Sequence, residues 1–142
     1  MPEPAWTIRP ATLADAPGVA VLLTELGSPD VDTAEARRRL ARAREQVFVA
    51  ERGSELGGLV AATIEHYFGH ELPLVQVTAL VTSPAARRSG AARQLMAAAM
   101  DHAVAHRCAG IELTCGLARE DAHAFYRSLG YTATSHRYWL AA

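Results

Sequence analysis

Between Leu74 and Met100 the chain reads LVQVTALVTSPAARRSGAARQLMAAAM, and no other stretch restricts the fold as tightly. Leu74–Thr82, rich in Val, Leu and Thr, predicts a β-strand. Ser83-Pro84 ends it, because proline has no N–H for a sheet ladder. Leu95, Met96, Ala99, Met100 and Ala103 then recur at helical spacing. Between strand and helix lies a basic, small-residue turn, Ala85–Ala92, with Arg87, Arg88, Ser89 and Gly90 at its centre. The first N–H groups of a helix have no internal acceptor, and the helix dipole adds positive potential there. Gly90, Ala91 and Ala92 admit a bulky group to the backbone, and Arg87, Arg88 and Arg93 add charge. The stretch therefore predicts a phosphate-bearing ligand held at a helix N-terminus.

The rest of the chain sets the frame. Its 142 residues suit a single domain over 1–142. The formal net charge of −1 excludes a global basic field for nucleic acid, so the arginine-rich turn is a local feature. No long apolar run predicts a membrane span. The opening Met1-Pro-Glu-Pro-Ala-Trp lacks the blocks of a signal peptide, and two cysteines, Cys108 and Cys115, make no disulfide framework. These features predict a reduced, cytoplasmic setting.

In order, Thr7–Arg9 predicts a first strand. Asp15 is the expected cap of a helix that ends at Gly27, with Val19, Leu22, Leu23 and Leu26 on one face. Thr33 is the expected cap of a second, arginine-rich helix reaching about Arg44. Its charges read more readily as a solvated face, partly paired with Glu35 and Glu45, than as a docking surface. Gln46–Glu51 and Leu56–His66 predict a hairpin, with Val47 and Val49 on one face and Phe48 and Ala50 on the other. Gly57-Gly58 inside it signals a bulge or a close backbone approach. After the central unit come a short strand (Ile111–Cys115), a helix (Asp121–Leu129) closed by Gly130, and one or two strands in Tyr131–Leu140 with Tyr138, Trp139 and Leu140 packed. An antiparallel run followed by strands alternating with helices predicts an α/β mixed sheet with helices on both faces.

The turn Arg87-Arg88-Ser89-Gly90-Ala91-Ala92 resembles the acetyl-CoA pyrophosphate loop of the GNAT superfamily of N-acetyltransferases, patterned R/Q-x-x-G-x-G/A. Asp121-Ala122-His123-Ala124-Phe125-Tyr126 through Gly130-Tyr131 resembles a second motif of that family, A-x-x-F-Y-x-x-x-G-F/Y. The start, Ile8-Arg9-Pro10-Ala11-Thr12 with Asp15, is similar to the family's usual opening, and the tail looks most like small aminoalkylphosphonate acetyltransferases. The resemblance implies a GNAT-like fold of about six to seven mostly antiparallel strands, with the fourth and fifth splayed, and about four helices. It implies that Leu80, Val81 and Thr82 pair with the pantetheine arm of acetyl-CoA. The amides from Arg88 to Arg93 would hold the pyrophosphate, and His123 would touch the arm. Direct attack by the amine of a small molecule would follow, with a backbone N–H near Leu80 on the oxyanion and Tyr126 as general acid to the departing thiolate. Relatives often carry a glutamate base on the fourth strand. Here Gln76-Val77-Thr78-Ala79 has no carboxylate, which moves the expectation to Glu65 or His66, or to His70 or Glu71 in the adjoining loop, acting through a water chain, or equally to water with no dedicated residue. The family's frequent dimerisation implies a homodimer, and no metal is expected.

The other candidate residues read as structural. His66 and His70 would bind zinc only if helical, and His102 and His106 lack a third ligand. Cys115 reads as a small buried residue rather than a nucleophile, and Cys108 as helix-end packing. The rival to catalysis is a non-catalytic acyl-CoA-binding module, motivated by the missing strand carboxylate. A nucleotide-binding protein is the weaker rival, since the turn lacks G-x-x-x-x-G-K-S/T and the chain has no lysine.

Overall fold

The antiparallel run expected between Gln46 and Thr82 is the frame of the computed structural model, which describes residues 5–142. Most of the signal-peptide reading, at Met1–Pro4, lies outside the described residues. The chain forms two compact units, one ending at Glu112 and one running Leu113–Ala142.

In the first unit β1 (Thr7–Pro10), β2 (Gln46–Arg52), β3 (Glu55–Glu65) and β4 (Leu74–Thr82) pair antiparallel in sequence order. α1 (Ala16–Leu26) and α2 (Thr33–Arg42) intervene between β1 and β2, and α3 (Ala91–Ala105) follows β4. β5 (Ile111–Leu113) joins the β4 edge of the sheet. The two strands begin side by side: Val75 N–H donates to Gly110 C=O at 3.0 Å and Ala109 N–H to Pro73 C=O at 2.8 Å. With α3 as the crossover, that pair is parallel and the sheet is mixed.

The sheet has five strands rather than six or seven. Residues 131–142 form neither strand nor helix, and Tyr138, Trp139 and Leu140 are exposed. Aromatic residues favour strands only where a neighbouring strand supplies hydrogen bonds and a face to pack on. Here Arg137 instead lies over the Trp139 ring, 5.0 Å from its centre.

Alternation along the strands separates two faces. Val47, Val49, Leu59, Ala79 and Val81 pack with Val19, Leu22 and Ala36 of α1 and α2. Ala62, Ile64 and Val75 pack with Ala103 of α3. Phe48 meets His102 of α3, so β2 divides its side chains as its pattern predicts. β4 does not keep one alternation: Val75 and Val81 are both odd-numbered yet lie on opposite faces. The cause is a bulge. Ala61 pairs with Ala79 and Ala62 with Val77, leaving Thr78 as the extra residue. A second bulge falls where the double glycine signals one: Ala50 pairs with Gly58 and Glu51 with Leu56, leaving Gly57 unpaired in the ladder.

Local signals differ from expectation in small, explicable ways. Asp32, not Thr33, caps α2: its carboxylate accepts Glu35 N–H at 2.8 Å, and Thr33 becomes the first helical residue. Glu35 in turn pairs with Arg38 and Arg39, as the solvated-face reading requires. Leu26 and Met100 sit at the rims of their apolar stripes and are exposed. Asp15 precedes α1, but its carboxylate is drawn elsewhere. It takes Thr12 N–H at 2.7 Å and forms a two-pronged pair with Arg9, whose guanidinium also reaches Glu51 at 2.6 Å. This network ties β1, the turn before α1 and β2 together. Arg9 holds the Asp15 carboxyl below the usual Asp range, against the opposing effect of burial.

A depressed folded pKa means that the unfolded chain takes up the proton first as pH falls. The Asp15 contribution is therefore complete above the unfolded Asp value of about 3.9 and is lost as pH drops from there through the folded pKa. Asp15→Asn should cost about 2 kcal/mol at neutral pH and flatten the acid side of the stability profile. Chemical denaturation of both proteins between pH 7 and pH 3 measures this, and parallel profiles would remove Asp15 from the acid response.

Candidate functional site

The turn between β4 and α3 is built from local constraints. Ser83 caps a 3₁₀ turn at Pro84–Ala86, its Oγ accepting Ala86 N–H at 3.2 Å. Arg87 leaves that turn extended (φ −60°, ψ 140°). Arg88 then adopts φ 63° and Gly90 φ 87°, both left-handed. An L-residue such as Arg88 pays of order 1 kcal/mol for that region, whereas glycine enters it freely. Gly90 precedes α3, and its C=O accepts the first helical bond, from Gln94 N–H at 3.0 Å. The amides of Ala91, Ala92 and Arg93 come before that bond, at the positive end of a 15-residue helix. A side-chain carbon placed on Gly90 would meet nothing closer than the Gln94 amide at 4.0 Å, so the approach to this corner is open. Left-handed residues within a turn also aim successive N–H groups into one concavity, a shape that suits phosphate oxygens.

The predicted cofactor residues Arg87, Arg88, Ser89, Gly90, Ala91, Ala92 and Arg93 thus form one continuous corner. Their side chains do not act alike. Arg87 forms an ion pair with Glu25 on the last turn of α1, which draws its guanidinium towards that helix. Arg88 and Arg93 are exposed. Ser89 Oγ donates to Ala86 C=O and accepts the indole N–H of Trp6 at 2.8 Å. Sequence reading gave no role to Trp6, which stands 83 positions from Ser89. Its only advance signal was Gly57-Gly58: a Cβ on Gly57 would lie 2.3 Å from the Trp6 ring, so the close approach expected there is this indole.

Leu80, Val81 and Thr82 run straight into the corner. They pair with Val60, Leu59 and Gly58 of β3, beyond the Thr78 bulge. β5, three residues long against nine in β4, starts beside Val75 and stops well short of them. Glu65 lies at the other end of the sheet, opposite Leu74. Six residues of strand separate Leu74 from Leu80, about 20 Å. His66 follows Glu65 into the loop that holds His70, whose ring meets Tyr67 edge-on. The Tyr67 hydroxyl donates to Glu112, which raises the tyrosine's pKa. The rings of His102 and His106 meet at a tilt of 51° on α3, with centres 4.3 Å apart. Among the described residues, no three His, Cys, Asp or Glu side chains gather as a metal-ligand set.

In the second unit α4 (Glu120–Ser128) carries the other predicted residues. Its end is closed by Tyr131 N–H to Tyr126 C=O at 3.0 Å and Gly130 N–H to Arg127 C=O at 2.9 Å, the paired bonds of a helix stop at glycine. The fold-back sets Tyr131 beside Tyr126, with ring centres 5.9 Å apart, and Phe125 flanks the other side at 5.3 Å. Burial pushes the Tyr126 hydroxyl above the ordinary phenol value; Cys115 and Tyr131 add to the rise and Arg119 opposes it. At neutral pH the group is therefore a proton donor. His123 Nε2 bonds Gly116 C=O at 2.9 Å, so one ring nitrogen is committed to its own loop. Cys115 is half-buried rather than buried, and its thiol is free, as is that of Cys108.

A strand ending in a left-handed corner at a helix N-terminus, with a tyrosine-bearing helix further along the chain, matches the two motifs by which the sequence resembles the GNAT acetyltransferases. The sequence profile of the Acetyltransferase (GNAT) family matches residues 18–131. The chain belongs to this family and is an N-acetyltransferase by class. It is 29% identical to an aminoalkylphosphonate N-acetyltransferase of Salmonella typhimurium over 97% of this chain and 92% of that protein. Among solved structures it is similar to a transcriptional regulator from Bacillus halodurans, 26% identical, with a TM-score of 0.85, covering 96% of this chain and 99% of that one. It shares its fold with the aminoglycoside N-acetyltransferase AAC(6')-Iy solved in complex with CoA, at 18% identity and a TM-score of 0.85, over 100% of this chain and 98% of that one. No helix among the described residues is long and apolar enough to cross a membrane.

Gly90→Ala isolates the backbone conformation, because space is not limiting there. It should cost about 1 kcal/mol and lower the melting temperature by roughly 4 °C. Calorimetry checks this, and an unchanged melting temperature would contradict a left-handed residue at this position.

Proposed function

We propose that residues 1–142 work as one catalytic domain that transfers the acetyl group of acetyl-CoA to a primary amine of a small molecule within a ternary complex. The observation that carries this reading is the corner at Arg88–Arg93. It offers backbone N–H groups, a helix dipole and open space at Gly90, a donor set that fits a pyrophosphate and needs no metal. Leu80, Val81 and Thr82 would then pair with the pantetheine arm beyond the end of β5. His123 would touch the same arm through its remaining ring edge. A cytoplasmic setting and a homodimer belong to the same proposal, on the family resemblance.

The reaction forms a C–N bond and breaks the C–S bond of the thioester. A backbone N–H near Leu80 would hold the oxyanion. Tyr126 would give its proton to the departing thiolate, which suits a hydroxyl kept protonated by burial. An acceptor arriving as an ammonium loses two protons in each turnover: the second, lost as the amide forms, restores the Tyr126 hydroxyl, and the first must leave before attack. Glu65 and His66, about 20 Å along β4 from Leu80, reach the thioester only through a relay of several waters, so solvent takes that proton either directly or on its way to them. The acceptor panel begins with aminoalkylphosphonates, following the Salmonella relative, and extends to aminoglycosides, polyamines and amino acids.

Release of CoA thiol across this panel, alongside acetyl-CoA thermal shift, tests the reading. Stabilisation by acetyl-CoA with turnover on at least one amine is the expected result. Stabilisation with no turnover on any amine would favour an acyl-CoA-binding module instead. Tyr126→Phe should lower kcat by about a hundredfold while acetyl-CoA affinity barely moves. In the wild-type protein the acid side of the pH profile follows protonation of the amine, and the loss that belongs to Tyr126 should come only above the ordinary tyrosine value of about 10. Unchanged turnover in the variant would remove Tyr126 from the chemistry.

A further inference from the structure

We infer that Trp6 is a positioning residue for the pyrophosphate corner, acting through Ser89. This deepens the proposed function and rests on it. The indole is buried against the sheet, 6% exposed. Its ring fills the space that a Cβ at Gly57 would take. The Arg52 guanidinium covers it, 4.0 Å from the ring centre. Held there, its N–H points at one atom of the corner, Ser89 Oγ, at 2.8 Å.

Ser89 sits between the two left-handed residues Arg88 and Gly90. Its hydroxyl accepts a hydrogen bond from the indole N–H and donates one to Ala86 C=O, and its amide N–H donates to the same carbonyl at 3.2 Å. The side chain is thus fixed from both directions, and with it the turn of backbone in which Arg88 is strained. The other end of the turn is tied to the same place in the sheet: Ser83 N–H donates to Gly57 C=O at 2.8 Å. The Gly57 bulge thus supplies an acceptor for the start of the corner and a slot for the indole that holds its centre. Without the indole bond, Ser89 and Arg88 would lose the contact that links them to β3. The Arg88–Arg93 amides would then spend part of their time outside the arrangement that receives the phosphates, a loss of pre-organisation that weakens binding.

The test compares CoA with pantetheine, which lacks the pyrophosphate, in calorimetric binding to the full chain, with pantetheine measured by displacement. A reversibly unfolded fraction weakens both ligands by the same factor, so the ratio of the two dissociation constants does not depend on it. Trp6→Phe keeps a ring in the slot and removes the N–H. It should shrink the preference for CoA over pantetheine about three- to tenfold, the range for one net hydrogen bond. Ser89→Ala, which leaves the buried ring in place, should do the same. The double variant should lose little more than Ser89→Ala alone, because the serine substitution already removes the Trp6 bond together with the bond to Ala86 C=O. An unchanged preference in both single variants overturns the inference. Additive losses in the double variant overturn it too, by showing that Ser89 meets the phosphate independently of Trp6. A wild-type protein with no preference for CoA over pantetheine would be a different failure, that of the phosphate corner itself.

Discussion

Two left-handed residues in three positions, Arg88 and Gly90, decide how the chain leaves β4 and enters α3. One is a glycine and costs nothing; the other is an arginine and is held there against its preference. That conformation points helix-start amides into open space, and it depends on attachments well outside the turn. Ser83 hangs on the Gly57 carbonyl, Ser89 on the Trp6 indole, and Arg87 on Glu25 of α1. The bulge at Gly57 underlies the first two, since only a residue without a side chain leaves room for the indole. The corner is in this sense a product of the β2–β3 hairpin as much as of its own loop.

A second bulge, at Thr78, divides β4 into two stretches with opposite facing. The lower stretch packs Val75 with α3 and is where β5 attaches. The upper stretch turns Ala79 and Val81 towards α1 and runs on past β5 into the corner. A strand with a spare edge beside an open helix start has a geometry that suits the extended, phosphate-tipped ligand proposed for it. The separation of Glu65 from Leu80 follows from the same strand, whose length keeps that carboxylate about 20 Å from the proposed thioester position.

Much of this was legible in the residues. The strand–turn–helix unit appeared with its boundaries nearly right, because Pro84 and Gly90 punctuate it and the small residues between leave few alternatives. The two faces of β2 followed from its strict alternation, and β3 followed as its hairpin partner. Gly57-Gly58 announced a bulge and a close approach, though not what approaches. Three things lay beyond reach. The Thr78 bulge carries no signal of its own, since the residues around it alternate as an unbroken strand would. The Trp6–Ser89 bond joins positions far apart in sequence, and a lone tryptophan near a chain start reads only as an apolar residue. The tail failed for a third reason: Tyr138, Trp139 and Leu140 have strand-forming side chains, but strand formation depends on a partner that local sequence does not reveal. The Asp15 case is milder. Its position before α1 was right, while Arg9 and Thr12 took the carboxylate that the helix was expected to use.

The central claim is that the Arg88–Arg93 corner binds the pyrophosphate of acetyl-CoA. Titration calorimetry of acetyl-CoA into the wild-type protein and into Gly90→Glu tests it most directly. The added carboxylate enters the open space at Gly90 and brings negative charge against the phosphates. The account predicts saturable binding at one site in the wild type and its loss in the variant, with the variant still folded by circular dichroism. Equal affinity in the two proteins would place the phosphates elsewhere and contradict it.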